Sequence, residues 1–360
     1  MQRLPGHDYI TIPKKPDRDS KKRPLIYPPD YVLTGDRETD QKAKKPYTRC
    51  TVFIDSIDDD WNLRQYDVRQ TIRGLVVDDS LYLKGSGLGP MPDKIEARDA
   101  YLHWRDEMNG VGWDAKRAAK SDQKANIGDA LHLFTERLDR GLQVKPNEVP
   151  VKYHGHLTNY MHATRELTVV ELERFMVCDE LKVGGTPDRL LGVKSRDQIV
   201  IGDVKTGNID FNPEKIGRQL AVYSRSQIYD DATGRRSMPW PIDQDWGLII
   251  HLDAYSGLVT LKWIDLNEAW EDVLLCRDVR KARNRRATMA DYVAASEPVL
   301  PSREEITPTQ IAAVITAIGN AKSEPDLYQI HTAAAHVWND AMTDAANTRL
   351  AQLRGMLVGV

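Results

Sequence analysis

The stretch GTPDRLLGVKSRDQIVIGDVKTG, residues 185–207, predicts two short strands with the polar segment GVKSRDQ as the turn between them. Side chains alternate between the two faces of a strand, so Asp203 and Lys205 point to the same face and Val204 points to the other. Pairing of the two strands as an antiparallel hairpin brings Asp188 close to Asp203. The stretch therefore predicts charged side chains where apolar ones would pack better.

A close pair of carboxylates needs a proton or a divalent cation between them, because two negative charges repel each other. Mg²⁺ prefers oxygen ligands at about 2.0–2.1 Å, usually one or two carboxylates, with water and substrate phosphate in the other positions. Lys205 would lie beside such an ion, where it can orient the attacking water or stabilise charge on a phosphate. The alternative is an ion-paired surface hairpin in which Asp203 and Lys205 simply neutralise each other.

Composition excludes several classes of protein. The 360 residues are 41% hydrophobic and 29% charged with a formal net charge of −3, so any nucleic-acid site depends on local basic clusters. The sequence predicts no membrane span, no secretory signal and no ATP-driven motor, because it lacks an 18-residue apolar run, an apolar leader and a Walker lysine motif. Its cysteines, Cys50, Cys178 and Cys276, are far apart and predict buried thiols in the cytoplasm.

The chain divides into three parts by composition. Residues 1–46 are rich in Pro, Lys, Arg and Asp and predict an extended or disordered basic arm, either a solvated tail or an electrostatic arm for DNA. Residues 47–295 predict the folded domain, with helices over 94–141 and a mixed α/β core over 150–290. The Ala-rich residues 300–360 predict a helical tail that packs as a module or docks a partner protein.

Helical spacing and capping residues also predict particular core positions and helix starts. Core positions near the start of the domain are predicted at Leu63, Tyr66, Ile72 and Leu75. In the tail, Thr307 with Pro308 predicts the start of one helix, and Ser323 with Asp326 predicts an acidic variant of the capping box at the start of the next.

An amphipathic helix precedes the hairpin in ANIGDALHLFTERLDRG, residues 125–141. Its buried seam is predicted at Ile127, Leu131, Phe134 and Leu138. An adjacent face carries Gly128, His132 and Glu136 at intervals of four residues, and the glycine permits close approach of another backbone. His132 is either a core histidine or, beside two carboxylates, a metal ligand or a group that orients one.

A second amphipathic helix follows the hairpin in NPEKIGRQLAVYSRSQIYD, residues 212–230, and is predicted to begin near Asn212 and Pro213. Gln219 and Tyr223 share one face at an i, i+4 spacing, where their polar ends can contact the site or a nucleic-acid strand. Arg218 and Arg225 are candidates for phosphate contacts nearby.

Together these motifs resemble the RecB-type branch of the PD-(D/E)XK nucleases, and in particular phage-encoded exonucleases of that group. The matching segments are GDALHLFTERL, GGTPDRL, IGDVKTG and QLAVY, in the family's order over about residues 120–265. The resemblance implies an α/β fold with a restriction-endonuclease-like core, in which helices flank a small mixed sheet, and a C-terminal helical appendage. It implies a Mg²⁺- or Mn²⁺-dependent deoxyribonuclease, and favours an exonuclease acting in phage or cellular DNA recombination, repair or processing.

The resemblance also implies roles for individual residues. The implied metal ligands are His132, Asp188, Asp203 and the main-chain carbonyl of Val204. Lys205 is the implied catalytic lysine, acting with Asp188 and Asp203, and Gln219 and Tyr223 are implied supporting residues toward the substrate. DNA is the implied partner in the cytoplasm (of the host, if the chain is phage-encoded), with a recombination or replication protein as a candidate partner for the C-terminal helices.

Some features depart from the family or leave its pattern open. Three scattered cysteines cannot form the four-cysteine iron–sulfur cluster of some relatives, and these 360 residues include no helicase such as the one fused to RecB itself. Glu173 is either the acid that some members place before the first Asp or an exposed strand glutamate, and Glu136 is equally open. His154, His156 and His162 lack a suitably spaced partner for zinc. The alternative functions are an inert nucleic-acid-binding or virion-associated protein on a nuclease fold, and a sequence-specific endonuclease.

Overall fold

The computed structural model describes residues 1–285 except 13, 122 and 195, and residues 308–353 except 335–337 and 339. It divides the chain into two compact units, Met1–Arg285 and Arg286–Val360. In chain order the strands are β1 (Gln2–Arg3), β2 (Leu25–Ile26), β3 (Lys45–Pro46), β4 (Thr48–Arg49), β5 (Leu167–Leu172), β6 (Met176–Cys178), β7 (Val183–Gly185), β8 (Arg189–Val193), β9 (Val200–Lys205), β10 (Gln227–Tyr229), β11 (Arg236–Ser237), β12 (Trp246–Leu252) and β13 (Val259–Asp265).

Helices occupy much of the remaining described chain. Those of the first unit are α1 (Arg37–Ala43), α2 (Cys50–Ile54), α3 (Trp61–Val77), α4 (Asp79–Gly87), α5 (Arg98–Ala118), α6 (Gln123–Asp139), α7 (His154–Ala163), α8 (Pro213–Ser224) and α9 (Asn267–Asn284). Those of the second unit are α10 (Pro308–Asn320), α11 (Glu324–Ala334) and α12 (Asp340–Leu353). Short 3₁₀ helices cover Asp55–Ile57, Pro146–Glu148 and Val151–Tyr153.

Strand β9 lies inside the largest sheet, whose strand order is β1-β5-β8-β9-β12-β13. It pairs antiparallel with β8 on one side and parallel with β12 on the other. A parallel pair needs a crossover connection, and the chain between β9 and β12 includes helix α8, which packs on both strands. Residues Val200 to Val204 are therefore buried on both faces of the sheet. The protein is a mixed α/β protein with mixed sheets flanked by helices, as the sequence predicts.

A smaller sheet of order β11-β10-β6-β7-β4 packs with helices α2 and α8. Helix α8 begins where the sequence predicts: Pro213 is its first residue, and the Asn212 side chain accepts a hydrogen bond from the Lys215 N–H at 3.0 Å. The cysteines Cys50, Cys178 and Cys276 are buried free thiols, as predicted. No helix among the described residues is both long and apolar enough to span a lipid bilayer.

Residues 1–46 are part of the first unit and contribute to its core, whereas the composition predicts an extended or disordered arm. Ile26 is fully buried and joins Tyr27 in an apolar cluster with residues of β6 and β10. The Tyr9 hydroxyl donates a hydrogen bond to the Val169 carbonyl at 2.6 Å, and β1 pairs with β5. The few buried residues of this segment are separated by prolines and charged residues, so they leave no periodic signal.

Helix α3 presents most of its apolar residues outward, so three of the four predicted core positions there are wrong. Leu63 and Ile72 are 63% and 57% exposed, and Tyr66 is exposed as well, whereas Leu75 is partly buried. The helix packs on α5 through Gly74, whose position admits no side chain because a Cβ there would overlap the Ala115 carbonyl. The close backbone contact at Gly74 therefore determines which face of α3 packs on α5, and the spacing of the apolar residues does not.

The described residues of the second unit are helical and have a core of their own around Ile318, Leu327 and Met342. The capping box predicted before α11 is confirmed. The Ser323 N–H donates to Asp326 Oδ2 at 3.1 Å, and the Asp326 N–H donates to Ser323 Oγ at 3.3 Å. Pro308 is the first residue of α10, and Thr307 lies outside the described residues.

Candidate active site

Asp188 and Asp203 lie at the same level of the hairpin formed by β8 and β9. Arg189 pairs with Gly202 in the antiparallel ladder, so the next position outward sets Asp188 opposite Asp203. Asp188 Oδ2 accepts a hydrogen bond from the Val204 N–H at 2.9 Å, which turns this carboxylate toward β9. The prediction that antiparallel pairing brings Asp188 close to Asp203 is confirmed.

Asp203 is a buried carboxylate whose partner is Lys205. Its side chain is 3% exposed, and Lys205 Nζ lies 2.6 Å from its Oδ2. The charge of Lys205 and its hydrogen bond to Asp203 lower the pKa of this carboxyl group. Burial, followed by the negative charge of Asp188, raises the pKa of Asp203 to about 6 despite the attraction of Lys205. A cation near Asp203 would therefore be bound favourably.

Lys205 is part-exposed and keeps its proton. Burial is the largest influence and lowers its pKa, but the charge of Asp203, the hydrogen bond to Asp203 and the charge of Asp188 together outweigh burial, so the pKa of Lys205 lies above its ordinary value. An ammonium with a raised pKa cannot serve as a general base at neutral pH. It can donate hydrogen bonds and stabilise negative charge on a phosphate.

His132 of helix α6 faces Asp188. Its Nδ1 lies 3.6 Å from Asp188 Oδ2, and about a third of its side chain is exposed. Burial lowers the pKa of His132, with Arg189 and Lys205 adding to the effect and Asp188 opposing it. The imidazole is thus neutral at physiological pH, which is the form that binds metal ions.

Two contacts fix helix α6 against the sheet. A Cβ at Gly128 would lie 2.7 Å from Thr206 Oγ1, so this glycine permits the close approach of the helix to the end of β9. One residue after Asp188, Arg189 is fully buried and donates to Asp139 Oδ2 of α6 at 2.7 Å. The Tyr160 hydroxyl donates to the same oxygen at 2.7 Å.

This buried arginine–aspartate pair was missed from the sequence. Arg189 Nη1 also lies 3.8 Å from Asp188 Oδ2, so the guanidinium adjoins the site. A buried guanidinium requires an acidic partner, and Asp139 is the acid that the α6 seam supplies. The Arg189–Asp139 pair joins β8 to α6 and so fixes the position of His132 relative to Asp188.

Tyr223 is buried and hydrogen-bonded to the partly buried Gln219, rather than on an open surface. The Tyr223 side chain is buried against Gly185, where a Cβ would lie 2.4 Å from its hydroxyl oxygen. Burial and then Cys50 raise the pKa of Tyr223, while a hydrogen bond from Gln219 opposes them. These two residues therefore support the strands that carry the carboxylates.

Arg218 does not face a substrate surface, which differs from the predicted phosphate contact. It is buried and forms ion pairs with Asp58 and with Asp272, the latter at 3.4 Å. Arg225 lies over the ring of Trp270 at 4.4 Å. Helical spacing shows which residues share a face of α8, but it does not show which other segments cover that face.

The remaining acids and histidines have local partners. Glu173 has a φ of +51° and pairs with Lys15 at 3.0 Å, and burial raises its pKa. Its N–H donates to the Asp188 carbonyl at 3.1 Å, so it lies next to the site. Glu136 pairs with Arg140 at 2.7 Å. The histidines His154, His156 and His162 each contact a separate group and form no cluster.

Among the described residues, no three His, Cys, Asp or Glu side chains stand arranged to hold a metal ion. His132 with Asp188 and Asp203 with Lys205 instead form two adjoining pairs. Val204 lies in the ladder between β9 and β12, opposite Ile250. The donor chemistry nevertheless fits a divalent cation, because it combines a neutral imidazole with two carboxylates, one of them buried with a raised pKa.

Neither a comparison with models of protein families nor a comparison with curated proteins finds a match to this chain. The functional interpretation therefore depends on the motifs and on the geometry of the site.

Proposed function

We propose that this chain is a Mg²⁺- or Mn²⁺-dependent deoxyribonuclease of the exonuclease type. The observation that carries the proposal is the buried Asp203, with a pKa raised to about 6 despite its pairing with Lys205, opposite Asp188. An ion-paired surface hairpin would instead have exposed carboxylates.

The strand order supports a restriction-endonuclease-like core as part of this proposal. Strands β5, β8 and β9 are consecutive antiparallel neighbours, and α8 then leads to β12 beside β9. The carboxylates lie on the central hairpin of this arrangement, between helix α6 and the sheet.

The residues of the site have separable roles. Asp188, Asp203 and His132 would hold a divalent cation, which when bound neutralises phosphate charge and lowers the pKa of a coordinated water. Lys205, protonated at neutral pH, donates to a phosphate oxygen as negative charge develops in the transition state. The Arg189–Asp139 pair holds the helix that carries His132.

The first test is hydrolysis of linear and closed circular DNA in Mg²⁺, Mn²⁺ or EDTA. Degradation of linear DNA alone, only with metal, is the expected result for an exonuclease. Cleavage of circular DNA would indicate an endonuclease, and no cleavage of either form would favour the inert nucleic-acid-binding alternative.

Lys205→Ala should lower the cleavage rate at least about 100-fold, the typical loss when one donor to a developing negative charge is removed. Its Mn²⁺-dependent rise in melting temperature should remain, because the lysine is not a ligand. Lys194→Ala is the matched control, since Lys194 is an exposed lysine that follows β8 in the same hairpin. Cleavage by Lys205→Ala at the rate of the control would remove Lys205 from the mechanism.

A further inference from the structure

A cleft of about 600 Å³ opens beside His132. It lies between the start of α6, the residues that follow β9 and the turn between β12 and β13. Its lining includes Gly128, His132, Tyr153, Thr206, Asn208 and Tyr255. Since His132 belongs to both the cleft and the candidate active site, a molecule in the cleft lies next to the carboxylates.

The β12–β13 turn is built to hold one conformation. Asp253 Oδ1 accepts hydrogen bonds from the N–H groups of Tyr255 and Ser256 at 3.1 and 2.6 Å. Gly257 has a φ of +69°, which a larger residue adopts only with strain, and its N–H donates to the Asp253 carbonyl at 2.9 Å. Tyr255 is thus carried on an internally bonded turn.

Helix α7 fixes the same turn from outside. The Asn159 amide donates to the Gly257 carbonyl at 2.9 Å, and His156 Nε2 lies 3.2 Å from the Ala254 carbonyl. The His156 ring fills the space in which a side chain at position 257 would stand. The turn therefore holds Tyr255 in place at the cleft.

Tyr255 is 74% exposed, and a single exposed aromatic ring is ordinary on a protein surface. Here it lines a cleft with a second ring, Tyr153, over which Lys152 Nζ lies at 4.8 Å. Aromatic rings at a cleft beside a site for phosphate chemistry suit the flat face of a nucleobase.

The charge of the cleft favours a base over a phosphate. Lys152 contributes a positive charge to its lining and Asp129 a negative one, so they offset each other. The protonated Lys205 and the carboxylates lie at the His132 end. A nucleotide would therefore place its base in the cleft and its phosphate at His132 and Lys205.

We propose that this cleft takes one unpaired nucleobase of single-stranded DNA, stacked on Tyr255, with the adjoining phosphate at His132 and Lys205. The proposal rests on the proposed nuclease function and names its substrate class. A base within a duplex is stacked and paired, and it must be extruded at a cost of a few kcal/mol before it can enter such a cleft.

The test is binding of a fluorescently labelled oligonucleotide, as a single strand and as a blunt duplex, measured by anisotropy at low ionic strength. EDTA in one series and Ca²⁺ in another keep the Mg²⁺-dependent reaction out of the measurement. Tyr255→Ala should weaken single-strand binding about 5- to 150-fold, the loss expected for one stacked base. Tyr255→Phe should bind like wild type because it keeps the ring, and duplex binding should be equal in all variants.

Tyr82→Ala is the matched control, because Tyr82 is a similarly exposed tyrosine on α4 outside this cleft. The proposal is overturned if the wild type does not prefer single strands in either series, or if Tyr255→Ala binds them as tightly as Tyr82→Ala. Metal-dependent cleavage together with either of those results would leave the nuclease proposal standing. Loss of binding in Tyr255→Ala without cleavage of any DNA would instead contradict only the nuclease function.

Discussion

At the scale of single residues, Asp203 governs how the metal-free protein responds to pH. Its folded-state pKa of about 6 lies above the ordinary value of about 3.9 for an unfolded aspartate. Below pH 4 the group is protonated in both states, and stability is lost as the pH rises from about 4 to about 6. Above pH 6 the ionised carboxylate destabilises the fold by an amount on the order of 3 kcal/mol.

Asp203→Asn should therefore be more stable than wild type in EDTA at pH 8 and equally stable at pH 4. In Mn²⁺ at a hundredfold excess over Kd, wild type should gain about 2.7 kcal/mol, and the variant should gain almost nothing. Thermal melts across pH, with EDTA or Mn²⁺, measure both effects.

Asp243→Asn is the matched control for that experiment. Asp243 is also buried, but Arg196 and the N–H groups of Asp245 and Trp246 donate to it. Its substitution should destabilise the protein because those bonds are weakened. An Asp203→Asn protein less stable than wild type in EDTA, with no metal effect in either, would instead identify a surface-type ion pair.

Substitution of His132 distinguishes a role as metal ligand from a role as core histidine. With a third of its side chain exposed, His132→Ala should lower stability little, by about 1 kcal/mol or less. Cleavage should fall steeply and recover in part at high Mn²⁺, because fewer ligands weaken metal affinity. Parallel measurements of melting temperature and of rate against Mn²⁺ concentration test this. A large loss of stability with unchanged metal dependence would favour a structural role.

The pairing of Asp188 with Asp203 was predictable because strand alternation and a short turn leave little freedom in register. The environments of Arg218 and Tyr223 were not, because segments distant in sequence cover them. Asp58, for example, reaches Arg218 from 160 positions away. Sequence periodicity identifies the face of an element, whereas its neighbours on that face come from tertiary packing.

At the scale of elements, the position of α6 against β9 depends on Gly128. Gly128→Ala would place a Cβ 2.7 Å from Thr206 Oγ1 and push the helix outward, taking His132 from Asp188. Displacements approaching 1 Å at a catalytic centre can lower rates about 100-fold. We expect a 10- to 100-fold loss of activity with a modest change in stability.

Thr206→Ala removes the colliding oxygen and leaves ordinary contact with the new methyl group, so the double variant should regain activity. Gly110→Ala is the control, because a Cβ at this position in α5 meets no neighbouring atom within 4 Å; it should be neutral or slightly stabilising. The rates of wild type, the two single variants and the double variant form a double-mutant cycle. Additive losses without rescue would show that α6 is not positioned through this contact.

Helix α3 shows the limit of element prediction. Its residues follow helical spacing, and the helix exists, but the packed face is the one with Gly74 and the Asp67–Lys116 ion pair at 2.8 Å. Apolar spacing predicts a buried face only when the neighbouring element offers an apolar surface. In α3 a backbone contact selected the other face.

At the scale of the whole molecule, the two ends of the chain differ in how they relate to the first unit. Residues 1–46 belong to that unit and contribute its buried Ile26, whereas residues 286–360 form a separate compact unit. Composition alone suggested that both ends are appendages, since each lacks the alternating pattern of the sheet.

Deletion of residues 1–46 should therefore unfold the first unit. Because a deletion can fail for reasons unrelated to packing, point variants decide this prediction. Ile26→Ala should cost about 2–5 kcal/mol, as for other fully buried isoleucines. Ile12→Ala, in the same segment but 67% exposed, should change stability by less than about 0.5 kcal/mol. Urea unfolding gives both values, and equal effects would show that the segment does not contribute to the core.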